Sequence, residues 1–313
     1  MSTPHTTISL RFEGGLGNQL FQLAAAVHIR DVVGIPVVLD RQFYFQHYAN
    51  MDPRSLEIDV LPHGFTLIRG RGRSSWFRAL PRAIVRRVIT RGAPIILFNE
   101  AVAAARSTSD PSPEQLALIE LADHDPPFFQ SATPPMATAA TMRTLLETRI
   151  PLAFRPKTDS PYISVHSRLG DYVNERWRGE LGPTDPSSLL ALGRELSERH
   201  GGLPIRVFTD SPGLFARICP PSDTNRYELS DAVSPWDALA GMARAHALVM
   251  SNSTLSWWAA FIATSFREQP ADVLMPHPWF VDHRHVDEIL PMAGWTMYQR
   301  SLLDLSSIEV TWP

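Results

Sequence analysis

Lysine is nearly missing from this chain. Of 29 lysines and arginines among 313 residues, Lys157 alone is a lysine, which leaves 28 arginines. A Walker A loop needs a Gly-Lys-Ser/Thr run, and Lys157 stands between Pro156 and Thr158, so phosphate-loop chemistry is excluded. A Schiff-base lysine would have to be this same residue, in a stretch that reads as a linker. Cysteine is as scarce: the lone Cys219 leaves no disulfide, zinc knuckle or iron–sulfur cluster and suits a reducing cytoplasm. No apolar run approaches the roughly 20 residues of a membrane span. Residues 1–11 lack the apolar core of a signal peptide, so the expected location is the cytoplasm. The formal charge of −3 gives no electrostatic ground for nucleic-acid binding. Acid is absent from residues 61–99, which carry eight arginines. There Trp76, Leu80, Ile84 and Val88 repeat at helical spacing, with Arg78, Arg82 and Arg86 on another face. Such a helix either packs its apolar stripe on a domain or lies on an anionic membrane.

What is present suits a folded protein of about two domains: 44% of residues are hydrophobic. Residues 6–12 alternate like a strand and run into Glu13-Gly14-Gly15-Leu16-Gly17-Asn18. A helical run over 19–33 and a buried strand over 37–39, ending at Asp40, complete a strand–turn–helix–strand unit. Further helices are expected at 116–122 and 142–148. Phe128-Phe129-Gln130-Ser131 lies between two proline pairs and reads as rigid and non-helical. Residues 151–160 read as a connector. Beyond it strands at 162–165, 205–208, 248–250 and 273–275 alternate with helices at 187–200, 235–245 and 255–266. That order predicts an α/β protein with two parallel sheets.

In parallel α/β sheets ligands bind outside the carboxyl ends of the strands. Polar residues collect at those ends in the second half: His166 and Arg168 after one strand, Asp210 after another, Ser251-Asn252-Ser253-Thr254 after a third. The serine-rich junction suits a phosphate at a helix N-terminus, or is a plain helix cap. Trp257-Trp258 should lock that helix into the core. Arg168 offers a planar fork matched to a diphosphate, or pairs with Asp171 on the surface. Asp210 either accepts from a purine edge or ribose, or forms a turn before Pro212. His166 is a base candidate, though a role in placing Arg168 fits its position better. The glycine turn invites a dinucleotide reading with Asp40 on a ribose, but the third glycine would fall at Leu20. Asp123-His124-Asp125 resembles the metal motif of some sugar transferases, in a poor context.

Four motifs carry a resemblance to glycosyltransferase family 11, the α-1,2-fucosyltransferases. They are Gly14-Gly15-Leu16-Gly17-Asn18-Gln19-Leu20-Phe21-Gln22, Phe128-Phe129-Gln130-Ser131, His166-Ser167-Arg168-Leu169-Gly170-Asp171-Tyr172 and Ser251-Asn252-Ser253-Thr254-Leu255-Ser256-Trp257-Trp258, and Pro278-Trp279-Phe280 resembles a later element. The resemblance implies two Rossmann-like domains of the glycosyltransferase B type. Residues 1–150 would form the acceptor side and 151–290 the nucleotide side, with a tail over 291–313 packing back on the first. It implies a GDP-β-L-fucose donor, a galactose-terminated acceptor attacked through its 2-hydroxyl, inversion, and no metal or other cofactor. Arg168 would bind the β-phosphate, His166 line the nucleotide site, Asp210 contact the nucleoside, and Ser253 and Thr254 hold the pyrophosphate. Gly15, Gly17, Asn18, Gln19, Asn252 and Ser256 complete the implied donor set. Asp171 and Glu175 are the base candidates, with Asp171 equally suited to orienting Arg168. The stretch from Arg69 to Arg91 would give peripheral contact with the inner membrane face. Two departures stand out: Leu169 replaces a second arginine, and Asp210-Ser211-Pro212 has one acid where the family tends to two. An NAD(P)-dependent oxidoreductase and a non-catalytic glycan-binding protein are the rival classes.

Overall fold

The computed structural model describes residues 6–45, 54–69, 95–124, 128–154, 161–222, 226–282 and 286–306. The chain divides into two units, Met1–Leu145 and Leu146–Pro313. The first holds a four-stranded sheet in the order β3-β2-β1-β4, from β1 (Thr7–Arg11), β2 (Val37–Asp40), β3 (Thr66–Ile68) and β4 (Ile95–Leu97). Every pairing in it is parallel. β1 is buried over its first four residues and feeds the helix Leu16–Asp31 through the glycine turn. That helix begins earlier than its apolar period suggests, because Gly15 takes the N-cap with extended backbone and Gly17 is accommodated in the first turn. Gly14 has φ +80°, which a side chain would strain.

The second unit holds six strands in the order β10-β9-β8-β5-β6-β7: β5 (Ile163–Ser167), β6 (Ile205–Thr209), β7 (Glu228–Leu229), β8 (Ala247–Val249), β9 (Asp272–His277) and β10 (Thr296–Gln299). These too are parallel throughout. All five residues of β5 are buried, as expected of a central parallel strand covered on both faces. Ile163 and Val165 join Val207, Val249 and Leu189, Leu190 and Leu196 of the helix Pro186–Arg199 in one core cluster. The helix Thr254–Ser265 buries Trp257 and Trp258 completely. Trp257 stacks on Phe261, centroids 5.3 Å apart, and donates its indole N–H to the Leu290 carbonyl at 2.9 Å. Burying a large apolar side chain of this kind contributes about 1.5–3 kcal/mol, so this helix start rests on a firm base.

The α/β reading with two parallel sheets holds. One boundary differs. Residues 291–313 were expected as a tail lying against the first domain, yet Thr296–Gln299 forms β10 and pairs with Leu274–His277 of β9 in the second sheet. Tyr298 fixes it there: its ring is buried and its hydroxyl donates to the Met250 carbonyl at 2.6 Å. The expected basic helix over 75–90 lies outside the described residues, as does Lys157.

Candidate functional site

The second sheet has a switch point between β5 and β8. From β5 the chain moves to β6 on one side, and from β8 to β9 on the other. A crevice outside the carboxyl ends of two such strands is where an α/β sheet binds ligands. His166, Ser167 and Arg168 emerge from β5 there, and Ser251–Thr254 follow β8. Asp210 follows β6, whose Thr209 is in register with Ser167. The three polar strand ends expected to share a site therefore lie along one edge.

Arg168 is the centre of charge. Its Nη2 donates to Asp171 Oδ1 at 2.6 Å, and its Nη1 pairs with Asp210 Oδ2 at 2.8 Å. Burial works against the cation, but Asp210 and Asp171 outweigh it and hold the guanidinium above its ordinary pKa. The Tyr172 ring lies 5.6 Å from the guanidinium carbon, and its hydroxyl donates to the Asn252 carbonyl at 3.0 Å. Asp210 does more than pair: Oδ1 accepts the backbone N–H groups of Leu169, at 3.0 Å, and Gly170, at 3.2 Å.

His166 does not place Arg168, contrary to the expectation. Its Nδ1 is 2.8 Å from Ser251 Oγ, which ties the end of β5 to the loop after β8. Burial pushes its pKa down to about 4, with Arg168 acting in the same sense and Asp210 against it. The imidazole is neutral at pH 7, suited to lining a ligand site and too weakly basic to hold a proton there.

The junction after β8 divides its labour. Ser253 is the N-cap of the helix Thr254–Ser265, yet its side chain makes no capping bond. Its hydroxyl, that of the half-buried Thr254 and the uncapped first-turn N–H groups are the donors available to an anion. Asn252 and Ser256, implied by the family resemblance to bind the donor, brace the junction instead. Asn252 Nδ2 donates to the Leu181 and Trp279 carbonyls at 2.8 and 3.1 Å, while Oδ1 accepts from Thr184 Oγ1 at 3.4 Å. Ser256 Oγ shares its proton between the Ser251 and Ser253 carbonyls. Both are buried with these bonds made.

In the first unit Gln19 receives the same correction. Its Nε2 donates to the Gly14 and Ser55 carbonyls at 3.1 and 2.9 Å. Its Oε1 accepts from the N–H groups of Glu57 and Ile58 at 2.9 and 3.2 Å. Fully buried, it pins residues 55–58 to the glycine turn. Tyr44 reinforces that turn by donating its hydroxyl to the Gly14 carbonyl at 2.9 Å. Asn18 differs: its Oδ1 is buried with no hydrogen-bond partner among the described residues, beside the open backbone of Gly15 and the first-turn Gly17. Asp40 accepts the Gln42 N–H at 2.8 Å in a local turn. Asp123 pairs with Arg106, Asp125 lies outside the described residues, and among those described no cluster of metal-binding side chains forms. Glu175 is exposed at the start of the short helix Glu175–Arg178.

Sequence reasoning missed the convergence of Asp210 on residues 168–170. The only signal was the pairing of two strand ends, and adjacency of β5 and β6 is a fact of tertiary topology.

Residues 145–268 match the family model described as Glycosyl transferase family 11. No curated protein matches the chain. Among solved structures, the chain is similar to the fucosyltransferase NodZ from Bradyrhizobium at 15% identity and a TM-score of 0.42, over 83% of this chain and 94% of that one. It is similar to the E. coli heptosyltransferase WaaC with ADP at 12% identity and a TM-score of 0.45, over 94% and 93%. POFUT1 in complex with GDP is similar at 11% identity and a TM-score of 0.43, over 87% and 99%.

Proposed function

We propose that this chain is an inverting fucosyltransferase of the glycosyltransferase B type. It takes L-fucose from GDP-β-L-fucose to the 2-hydroxyl of a galactose-terminated glycan, without a metal. The observation that carries this reading is the placement, after the two strands of one sheet switch point, of the held Arg168 guanidinium and of an uncapped helix start at Ser253 and Thr254. The family match over residues 145–268 takes in all of these residues.

The chemistry is a substitution at the anomeric carbon. The acceptor hydroxyl attacks from the face opposite the diphosphate, the carbon–oxygen bond to GDP breaks, and the β-linked donor becomes an α-linked product. Charge grows on the departing β-phosphate, where preorganised donors lower the barrier most. Arg168 supplies two N–H edges and a fixed charge, and the helix start supplies hydroxyls, N–H groups and the positive end of the helix dipole. The hydroxyl proton goes to a carboxylate. Asp171 has its Oδ1 taken by Arg168, so Glu175 is the better candidate. The first unit carries the acceptor side and the second the nucleotide. The protein works in the cytoplasm, and the arginines from Arg69 to Arg91 hold it near anionic membrane.

The test is GDP release from GDP-fucose, with and without a panel of β-galactosides, in excess EDTA. Acceptor-dependent release that survives the chelator is the expected result. Release that needs no acceptor, binding of NAD(P) in preference to GDP, or glycan binding without turnover would each overturn the reading. In single turnover, Glu175→Gln should slow transfer while leaving GDP affinity intact.

A further inference from the structure

We propose that Asp210 is a positioning residue, which aims Arg168 at the donor diphosphate and leaves the nucleoside to other groups. The inference rests on the GDP-fucose reading above and deepens it.

Register brings the two residues together. Ser167 of β5 and Thr209 of β6 are paired, so Arg168 and Asp210 are the next residues out on neighbouring strands. The chain after β6 turns at once, with the Ser211 N–H donating to Thr209 Oγ1 at 3.2 Å. That turn brings the Asp210 carboxylate back over the backbone of residues 169 and 170. Three donors from three consecutive residues then meet on it: the guanidinium on Oδ2, and the N–H groups of Leu169 and Gly170 on Oδ1. A carboxylate has about four acceptor positions, so little capacity remains for a purine edge or a ribose.

The two kinds of donor have different consequences. The backbone N–H groups stabilise the negative charge of Asp210 independently of Arg168, so the carboxylate stays in place when the guanidinium engages another anion. The guanidinium, held at Nη1 by Asp210 and at Nη2 by Asp171, cannot swing freely on its long stem. A planar fork fixed at both terminal nitrogens presents its remaining N–H groups in a set direction, and preorganisation of that kind is what a growing phosphate charge requires. Gly170 completes the device: a Cβ at this position would lie 2.2 Å from Asp210 Oδ2. Any side chain there must displace the carboxylate. Leu169, in place of a second arginine, is fully buried in the core cluster, so this position adds no second guanidinium.

Asp210→Asn and Gly170→Ala test this. The asparagine keeps an oxygen for the two N–H groups but turns an amide against Nη1, so the loop survives and the aim of Arg168 is lost. The expected result for both variants is a kcat at least about 10-fold lower, with guanosine affinity within about 2-fold of wild type. An unchanged kcat in Asp210→Asn would overturn the proposal, and so would a loss of guanosine affinity as large as the loss for GDP, which would assign Asp210 to the nucleoside. If Asp210→Asn does not fold, Gly170→Ala decides by the same two measurements. A wild-type protein that binds neither guanosine nor GDP would instead overturn the GDP-fucose reading, a distinct result.

Discussion

Arg168 was visible in the sequence as a charged fork at a strand end, but its holders were not. Asp171, three residues on, is a local partner that spacing suggests; Asp210, on the next strand, is not. Two carboxylates take two different nitrogens of one guanidinium, which an ammonium on a flexible stem cannot reproduce. Arg168→Ala should therefore lower kcat/KM by about 100- to 1000-fold, equivalent to about 3–4 kcal/mol, and Arg168→Lys should not restore it. Near-normal turnover in either variant would remove Arg168 from the mechanism. His166 makes a separate prediction. Its pKa is about 4 in the folded protein, lowered by burial, against about 6.5 for an unfolded histidine. The unfolded chain thus takes up a proton between these values before the native one does. The stability linked to a neutral His166 is complete above pH 6.5 and is lost as pH falls to about 4, a change of about 3 kcal/mol. Denaturant titrations of wild type and His166→Asn across that window should show the difference between them shifting by that amount. A difference that stays constant from pH 7 to 4 would mean that the imidazole protonates freely in the native state.

At the scale of elements, the long periodic helices were legible and the short edge strands were not. The helix Pro186–Arg199 declares itself by Asp185 before Pro186, with the Asp185 side chain accepting from the N–H groups of Ser187 and Ser188, and by the glycines that end it. β7 has two residues and β10 four, with exposed positions in both. Such strands exist because a neighbouring strand offers unpaired backbone, which no local pattern records. Gln19 shows the same limit inside an element. Within a glycine-rich motif it reads as a ligand group, yet its amide makes four bonds that join the turn to residues 55–58. Gln19→Ala strands those buried groups, so it should cost about 2–4 kcal/mol of stability, seen as a lower melting temperature. A variant with normal stability and a raised KM for the donor would return Gln19 to the ligand set.

For the whole molecule, one prediction comes from charge alone. Residues 61–99 carry eight arginines and no acid within a chain of net charge −3. Vesicles rich in anionic lipid should retain the protein at low salt and release it at high salt, since screening shortens such attraction. Changing Arg78, Arg82 and Arg86 to Gln should weaken that retention, and retention indifferent to salt and to these changes would assign the stretch no membrane role. The sequence by itself determined the α/β class, the two parallel sheets and the strand ends at which polar groups gather. Period, glycine turns and helix caps act between residues near in the chain, so they can be read there. Tertiary structure alone decided which strand ends adjoin, that Asp210 meets Arg168, and that Gln19, Asn252 and Ser256 are braces. Those outcomes depend on strand order and on competition among buried polar groups for partners far apart in sequence, and only the folded chain settles that competition.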